Sequence, residues 1–271
     1  MKKLFSRLTR KALRGLKLDL VHHDDDPAVR FASQARESIR LNPTARLQEA
    51  SRLGWRLHVQ QVLAARQIDH VIDVGANTGQ FYREIRNLGH TGPVRSFEPL
   101  PALATQLVTQ AAAERNWVIE GCALGEKAGT ANLHVLADDA LSSLRTPTSD
   151  AAEAWSAVKC EVRQTIVVPV HRLDQRVAAD PALREAKRIY LKIDTQGSEL
   201  EVLRGAEGVL AQVELIQFEA SVRPLYAEAP GYTVLIGWLE ARGYRLSSLF
   251  PICHHDFELV EFDCLMVKHR G

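Results

Sequence analysis

VIDVGANTGQF, residues 71–81, is the stretch that decides the fold. An apolar run ends at the carboxylate of Asp73, and glycines follow at positions 75 and 79. A strand that runs into a glycine turn and a helix predicts an open parallel sheet, whose ligands bind beyond the carboxyl ends of the strands. Gly75 lets the backbone turn sharply and approach a ligand, and Gly79 lets the next helix pack closely. Asn77 replaces the second glycine of a dinucleotide fingerprint, so we expect a smaller, partly cationic ligand whose ammonium group suits Asp73.

The sequence SFEP places Glu98 at the end of the next predicted strand, 25 residues after Asp73. A carboxylate there can accept hydrogen bonds from both ribose hydroxyls of a nucleoside, and it would repel a 2′-phosphate. Pro99 is expected to start the following helix, where its missing N–H costs nothing. The glycine turn and Glu98 together indicate an adenosine-bearing cofactor, and the alternative is a purely structural turn.

From residue 70 onward, short apolar strands alternate with helices, which predicts a mainly parallel sheet with helices on both faces. Strands are expected at HVIDV, PVRSFE, NWVIEG, RIYLKID, VELIQFE, YRLSSL and FDCLMVK, and helices over 78–89, 100–115, 198–210 and 231–242. Residues 129–172 interrupt this alternation with an extra strand pair, and 137–160 is the expected lid. We therefore predict a helical N-terminal extension, 1–67, and a Rossmann-like domain, 68–271, that contains the 129–172 insertion.

Composition limits the function classes. The net charge of +1 gives no case for a nucleic-acid partner. Four cysteines without C-x-x-C spacing argue against a disulfide scaffold or a zinc ribbon and predict a reducing, cytoplasmic setting. We expect neither a membrane span nor a signal peptide, because no apolar run has the required length.

Two charged segments carry separate hypotheses. Residues 1–20 combine seven lysines and arginines with leucines at helical spacing, which predicts a basic amphipathic helix in peripheral contact with an anionic membrane. The alternative is a protein-packed or frayed helix with a solvated charged face. HHDDD (22–26) and CHHD (253–256) resemble metal clusters, but contiguous side chains rarely converge on one ion, so we predict no metal site in either.

Six motifs occur in a fixed order: VIDVGANTGQF, SFEP, CALG, SSL, LKIDTQGSELEVLRGAEGVL and IQFEASVRPLY. In this order they resemble the FkbM family of S-adenosylmethionine-dependent methyltransferases, over about residues 55–268. The resemblance implies a class I (Rossmann-like) α/β fold, with a seven-stranded, mainly parallel sheet and an antiparallel last strand, here preceded by N-terminal helices. It also implies S-adenosyl-L-methionine as cofactor and O-methylation of a hydroxyl on a sugar, glycolipid or secondary metabolite.

The resemblance also implies roles for individual residues, carried over by position. The methionine end of the cofactor would be lined by Asp73, Gly75, Ala76, Asn77 and Gly79. Glu98 would hold the ribose, Cys122 and Ala123 of CALG would lie at the adenine, and Ser142 and Ser143 would close over the cofactor. Many class I enzymes have an acidic residue beside the adenine, and its absence from CALG leaves adenine to backbone and apolar contacts.

Asp194 and Glu219 end the fourth and fifth main strands, and these are the candidate catalytic carboxylates. Adjacent strands lie about 5 Å apart, so the two side chains are expected to face one pocket. Either could be the general base for a hydroxyl, or both could hold a divalent cation. Lys192 shares a sheet face with Asp194, which predicts an ion pair, with a solvated lysine as the alternative. His171 is a further candidate base at a strand end.

Residues near the fifth strand and in the DTQGSE motif complete the predicted site. Arg223 and Tyr226 are expected to border the acceptor, and Arg223 suits a phosphate or carboxylate on it. Ser198 and Glu201 have the spacing of a capping box at a helix start. Glu199 either favours the helix dipole or points into the pocket.

Three other functions stay open at this point. The first is a nucleotide-dependent oxidoreductase, which Asn77 and the motif LKIDTQGSE make less consistent. A second is a non-catalytic cofactor-binding or scaffold protein. The third is methylation of nitrogen or carbon, which uses the same cofactor loop.

Overall fold

The computed structural model describes residues 43–270, and contacts divide the chain into one unit over 1–57 and another over 58–271. The first described element is helix α1 (Pro43–Arg66), which agrees with the helix expected up to residue 67. The predicted membrane-contacting helix (1–20) and HHDDD lie outside the described residues. The predicted domain boundary at residue 67 stays a prediction. Within residues 43–270, no helix is long and apolar enough to cross a membrane.

The strands of the described residues, in chain order, are β1 (His70–Val74), β2 (Val94–Phe97), β3 (Trp117–Glu120), β4 (Ala123–Leu124), β5 (Gly129–Leu136), β6 (Val162–His171), β7 (Ile189–Ile193), β8 (Val213–Ser221), β9 (Tyr244–His255) and β10 (Glu258–Lys268). The helices after α1 are α2 (Gln80–Asn87), α3 (Pro101–Ala111), α4 (Ser149–Trp155), α5 (Leu173–Ala179), α6 (Pro181–Arg184), α7 (Glu199–Gly205) and α8 (Tyr232–Glu240), with 3₁₀ turns at Asp139–Leu141 and Glu207–Gln212.

The main sheet has seven strands in the order β3-β2-β1-β7-β8-β10-β9. β1 pairs in parallel with both β2 and β7, and β7 pairs in parallel with β8. β10 runs antiparallel to its neighbours β8 and β9. The predicted seven-stranded, mainly parallel sheet with an antiparallel last strand is confirmed.

The central strands are buried on both faces, which is why they read as continuous apolar runs. Ile72, Val74 and Ile193 are at most 1% exposed, and all belong to the main core cluster with the inner faces of α7 and α8. Burying these side chains fixes the strand register, since a shift by one residue would exchange the two faces. The carboxyl ends of β1, β2, β7 and β8 therefore meet at one well-defined edge.

The interval 129–172 contains the expected extra strand pair. β5 and β6 run antiparallel, from Gly129 opposite Val170 to Leu136 opposite Val162, and β4 joins them in a three-stranded second sheet. The 3₁₀ turn and α4 lie between these strands. The lid role of residues 137–160 stays a prediction.

One predicted helix start was wrong. α3 begins at Pro101, not Pro99, and Leu100 is its extended N-cap residue with ψ of 113°. A residue before proline is disfavoured in the helical region, so Pro101 keeps Leu100 extended and occupies the first helical position itself.

Candidate functional site

The glycine turn after β1 contacts the neighbouring strand ends. Gly75 has φ of +78°, and a Cβ atom there would lie 1.8 Å from the backbone oxygen of Asp194. Only glycine fits this position, because the conformation and the clash each exclude a side chain. The N–H groups of Gly75 and Ala76 both donate to the Phe97 carbonyl at 3.0 Å. The turn is thus fixed between the ends of β2 and β7.

Asp73 lies beneath this turn and is fully buried. Ser96 Oγ donates to Oδ2 of Asp73 at 3.1 Å. Lys192 Nζ forms an ion pair with Oδ1 of Asp73 at a distance of 3.1 Å. Lys192 Nζ also donates to the Gly75 carbonyl at 2.9 Å. Because its carboxylate already contacts Ser96 and Lys192, Asp73 acts on the glycine turn through Lys192, which donates to the Gly75 carbonyl.

Lys192 connects this turn to Asp194. Its Nζ lies 3.4 Å from Asp194 Oδ2, which confirms the predicted ion pair. The alternative of a solvated lysine is wrong, since Lys192 is buried. Burial alone would lower the pKa of Lys192, but the carboxylates of Asp73 and Asp194 raise it above its ordinary value. The lysine therefore stays cationic and holds both carboxylates in place.

Glu98 lies at the carboxyl end of β2, only 6% exposed. Its Oε2 accepts the Asn77 N–H at 2.7 Å and its Oε1 accepts the Leu100 N–H at 2.8 Å. Burial is the main cause that raises the pKa of Glu98 to about 7. Each carboxylate oxygen keeps a free lone pair. The residues thus fit a ribose, whose hydroxyls would donate to these oxygens.

The third strand ends in the segment predicted to meet adenine. Cys122 and Ala123 are buried, and burial raises the pKa of Cys122 to about 11, so its thiol is neutral. Glu120 ends β3, but Arg95 lies 2.6 Å and Arg176 2.7 Å from its two carboxylate oxygens. Since that acid is paired with two arginines, apolar and backbone contacts remain for a base, and adenine binding at this segment stays a prediction.

Asp194 and Glu219 are brought together by a residue that sequence reasoning missed. Gln196 Nε2 donates to Asp194 Oδ1 at 2.9 Å and to Glu219 Oε1 at 3.1 Å. Gln196 is held in turn by the Tyr226 hydroxyl, 2.8 Å from its Oε1, and by Ser143 Oγ, which donates to its carbonyl at 2.6 Å. The available signal was a glutamine, Gln196, two residues after the strand-end Asp194 in the DTQG motif.

The predicted capping box is wrong. Ser198 is the N-cap residue of α7, but its side chain makes no capping bond, and its φ and ψ of −109° and 22° are not the extended values that such caps require. Glu201 instead pairs with Arg145 at 2.7 Å. Glu199 instead fixes the loop before α7, because its Oε1 accepts the N–H groups of Thr195 and Gly197 at 3.1 and 3.0 Å.

A cavity of about 240 Å³ opens beside Gln196, and we call it the Glu219 cavity. Its walls include Gln196, Glu219, Arg223, Tyr226 and Glu261. The structure thus places both predicted acceptor-binding residues on the same cavity as Glu219. Arg223 Nη1 lies 3.5 Å from Glu153 Oε2, while its buried Nε and Nη2 atoms have no hydrogen-bond partner in the described part of the chain.

Glu261 is the second site residue that sequence reasoning missed. It lies on β10 opposite Ser221, is 3% exposed, and accepts the Trp155 indole N–H at 3.0 Å. Burial raises its pKa to about 7, and burial with the charge of Asp194 raises the pKa of Glu219 well above its ordinary value. The signal available was an acid within the apolar run ELVEFDCLMVK.

The other candidates lie elsewhere or lack support. His171 ends β6 in the second sheet, opposite Leu124, and no hydrogen bond among residues 43–270 joins its side chain to the carboxylates. In the CHHD motif, His255 Nε2 lies 3.3 Å from Glu153 Oε1. Over the described part of the chain, no three His, Cys, Asp or Glu side chains are grouped to hold a metal ion, so the divalent-cation hypothesis gains no support.

The chain resembles solved methyltransferase structures over most of its length. An FkbM methyltransferase from Methylobacillus flagellatus KT is 15% identical, with 98% of this chain and 70% of that chain covered and a TM-score of 0.46. Magnesium protoporphyrin IX methyltransferase from Synechocystis PCC 6803, with bound S-adenosylmethionine, is 8% identical over 91% and 94% of the chains, with a TM-score of 0.42. Fibrillarin from Aeropyrum pernix, with natively bound S-adenosyl-L-methionine, is 12% identical over 73% and 66%, with a TM-score of 0.41.

The family match comes from the sequence profile rather than from these distant structures. No curated protein matches the chain. The profile described as the methyltransferase FkbM domain matches residues 73–246, which is more than half of the chain and spans the glycine turn, Glu98, Asp194 and Glu219. The chain therefore belongs to the FkbM family of S-adenosylmethionine-dependent methyltransferases.

Proposed function

We propose that the protein methylates a hydroxyl oxygen on a small molecule, sugar or glycolipid. The observation that carries this proposal is the pair of carboxylates, Asp194 and Glu219, bridged by the Gln196 amide. An alcohol is a poor nucleophile while protonated, and a positioned base adds about 10²–10⁴-fold to the rate. Amines need a base less, so the pair of bridged carboxylates, of which Glu219 lines the cavity, supports an oxygen acceptor.

The cofactor-binding edge is built from the glycine turn and Glu98. When bound, S-adenosylmethionine supplies an activated methyl group. The backbone of residues 75–79 would face its methionine end, Glu98 would accept bonds from its ribose hydroxyls, and Cys122 and Ala123 would lie against its base. Gly75 touches the Asp194 backbone, so this edge and the carboxylates are directly adjacent.

The remaining residues align the acceptor and receive its proton. The acceptor oxygen gains a methyl group and loses a proton, and a neighbouring carboxylate takes that proton. Correct alignment of the two reactants is worth about 7–11 kcal/mol. Gln196 contributes by holding Asp194 and Glu219 at fixed positions, and Arg223 and Tyr226 line the same cavity. Two buried guanidinium nitrogens of Arg223 have no partner among residues 43–270, and they suit an acceptor that carries a phosphate or carboxylate.

We infer the cellular compartment from the cysteines and the membrane contact from residues 1–20. Cys122, Cys160, Cys253 and Cys264 are all free, which supports a reducing, cytoplasmic compartment. A glycolipid acceptor would agree with peripheral membrane contact through residues 1–20. Both statements are proposals, and liposome binding by the full chain, compared with a chain lacking residues 1–20, tests the second.

The first experiment is calorimetric titration with S-adenosylmethionine and, separately, with NADH. We expect binding of S-adenosylmethionine alone. Methyl transfer is then measured with radiolabelled cofactor against glycosides and glycolipids, and mass spectrometry of the product identifies the methylated atom. Asp194→Asn should lower kcat by about 10²-fold or more while cofactor affinity stays near wild type. Transfer to nitrogen or carbon would replace the oxygen proposal, and binding without transfer to any acceptor would favour a non-catalytic role.

A further inference from the structure

The Tyr226 hydroxyl lies between two segments that meet at the candidate site. It is 2.8 Å from Oε1 of Gln196 and 2.8 Å from the carbonyl oxygen of Leu141. Gln196 belongs to the loop that follows Asp194, whereas Leu141 ends the 3₁₀ turn inside the 129–172 insertion. Tyr226 is only 2% exposed, and its hydroxyl already contacts protein on two sides. A direct contact with an acceptor is therefore not the role that its surroundings favour.

The Gln196 amide has one orientation that suits its neighbours. Its Nε2 has two protons, and each has a carboxylate acceptor, Asp194 Oδ1 at 2.9 Å and Glu219 Oε1 at 3.1 Å. An amide turned by 180° would present its oxygen to these two groups, which only accept hydrogen bonds when they are ionised. The amide oxygen must therefore face Tyr226.

The Tyr226 hydroxyl has one proton for two carbonyl oxygens. The Gln196 side-chain oxygen has no other donor among residues 43–270, and Gln196 is 9% exposed. Leu141 is only half-buried, so water reaches its surroundings more easily. A buried acceptor without a donor is unfavourable, so donation to Gln196 is the better arrangement. The hydroxyl then fixes the orientation of the amide.

The loop around Gln196 is also held by the insertion. Gln196 has φ of +55°, a left-handed conformation that residues with side chains adopt only where contacts hold them. Ser143 Oγ donates to its backbone carbonyl at 2.6 Å. Next to Tyr226, the Ala227 N–H donates to the Thr146 carbonyl at 2.9 Å. The insertion, the loop after β7 and the segment after β8 thus meet at Gln196.

We infer that Tyr226 is a positioning residue, which acts through the Gln196 amide to hold Asp194 and Glu219 in place for the acceptor. This inference rests on the proposed function. In this role Tyr226 touches neither reactant. Its contact with Leu141 makes the insertion part of the catalytic geometry, because the same hydroxyl contacts both the 3₁₀ turn and the amide that joins the carboxylates.

The first test is NMR of the ligand-free full chain with ¹⁵N at the glutamine side-chain amides. Gln196→Leu assigns the Gln196 signal. In Tyr226→Phe we expect that signal to shift and its protons to exchange with water about tenfold faster, because the amide is no longer held from both sides. Tyr244→Phe is the matched control. The Tyr244 hydroxyl also lies buried between two carbonyls, those of Leu210 and Val213, at 3.0 and 2.9 Å, and its loss should leave the Gln196 signal unchanged.

Gln196→Leu provides a second variant in case Tyr226→Phe does not fold. With ¹³C at the tyrosine ring carbon that bears the hydroxyl, the Tyr226 signal should move in Gln196→Leu, and the Tyr244 signal should not. An unchanged Gln196 signal in folded Tyr226→Phe overturns the inference. An unchanged Tyr226 signal in Gln196→Leu also overturns it.

The second test is a double-mutant cycle in the methyl-transfer assay, with the glycoside or glycolipid that the radiolabelled screen identifies. Tyr226→Phe should lower kcat by about tenfold or more and leave the acceptor KM within about twofold of wild type. In the Gln196→Leu background, the same change should have no further effect, because Tyr226 can no longer act on the carboxylates. A raised acceptor KM, or an undiminished effect in that background, would overturn the inference and make Tyr226 an acceptor contact. Absent transfer by a protein with the expected NMR changes would instead contradict the proposed function.

Discussion

The two halves of the site differ in how they balance buried acid. On the cofactor side, Asp73 is paired with Lys192, and Glu120 is paired with Arg95 and Arg176. A buried charge is tolerated when a partner of opposite sign satisfies it. These ion pairs hold the strand ends together.

Three acids on the acceptor side are held by neutral donors instead, as is Glu98 on the cofactor side, while Asp194 keeps its pair with Lys192. Gln196 donates to Glu219, Trp155 to Glu261, and Gln217 to Asp263. Burial, with the charge of Asp194, raises the pKa of Glu261 and of Asp263 to about 7. The difference teaches that cation-paired acids build the scaffold, while acids held by neutral donors keep protons available near neutral pH.

The largest expected effect tests the rigidity of the cofactor side. Gly75→Ala should abolish detectable S-adenosylmethionine binding, because its Cβ would overlap the Asp194 carbonyl. Calorimetry measures the loss of cofactor binding, and thermal unfolding measures the loss of stability caused by the overlap. Gly89→Ala is the matched control, since Gly89 has φ of +94° and no described residue lies within 4 Å of the added atom. It should cost only the ~1–2 kcal/mol of a left-handed residue. Equal effects in both variants would contradict the close contact.

Lys192→Met tests whether a cation is needed beneath the turn. It leaves the Asp73 carboxylate buried without its counter-charge, and we expect a loss of about 3–5 kcal/mol in the free energy of unfolding, measured by urea denaturation. Arg204→Met removes an exposed pair with Glu126 and should cost about 1 kcal/mol or less. A loss in Lys192→Met no greater than in Arg204→Met would break the contrast between the two halves.

Glu98→Gln should weaken S-adenosylmethionine binding by about 1.5–3 kcal/mol, roughly ten- to a hundred-fold, because two charge-assisted bonds to ribose become weaker. The wild-type affinity should rise between about pH 6 and 8, since the pKa of Glu98 is about 7 and the ionised form accepts the hydroxyl bonds. Calorimetry at several pH values checks both effects. A pH dependence that persists in Glu98→Gln would assign the titration to another group.

The smallest effect concerns stability and pH on the acceptor side. The pKa of Asp263 is raised from 3.8 to about 7 in the folded protein, so its contribution is fully present below about 3.8 and is lost as pH rises through about 7. Asp263→Asn removes this proton uptake, and its unfolding free energy should fall less steeply than the wild type's between about pH 5 and 8. Parallel curves for the two proteins would show that Asp263 is ionised when folded.

The sequence predicted the parts of the molecule that depend on local pattern. Continuous apolar strands ending in Asp73 and Asp194 indicated the parallel sheet, and two-residue spacing indicated the Lys192–Asp194 pair. Glu261 could not be placed from sequence, because its approach to Glu219 depends on the register of β10 against β8. The capping box failed for a similar reason, since Arg145, distant in sequence, binds Glu201. Contacts between residues distant in the chain depend on the folded arrangement, so the pattern of one sequence does not predict them.

The position of β10 between β8 and β9 has a consequence for synthesis on the ribosome. β9 is made first, yet its partner in the sheet is β10, so β9 has no edge to pair with until residues 258–268 have left the exit tunnel. Domains generally fold as units during synthesis. The sheet, with the wall that carries Glu261, can therefore be completed only after β10 has emerged. A nascent chain halted before β10 would expose an unpaired β8 edge, a template for aggregation that chaperones would have to cover.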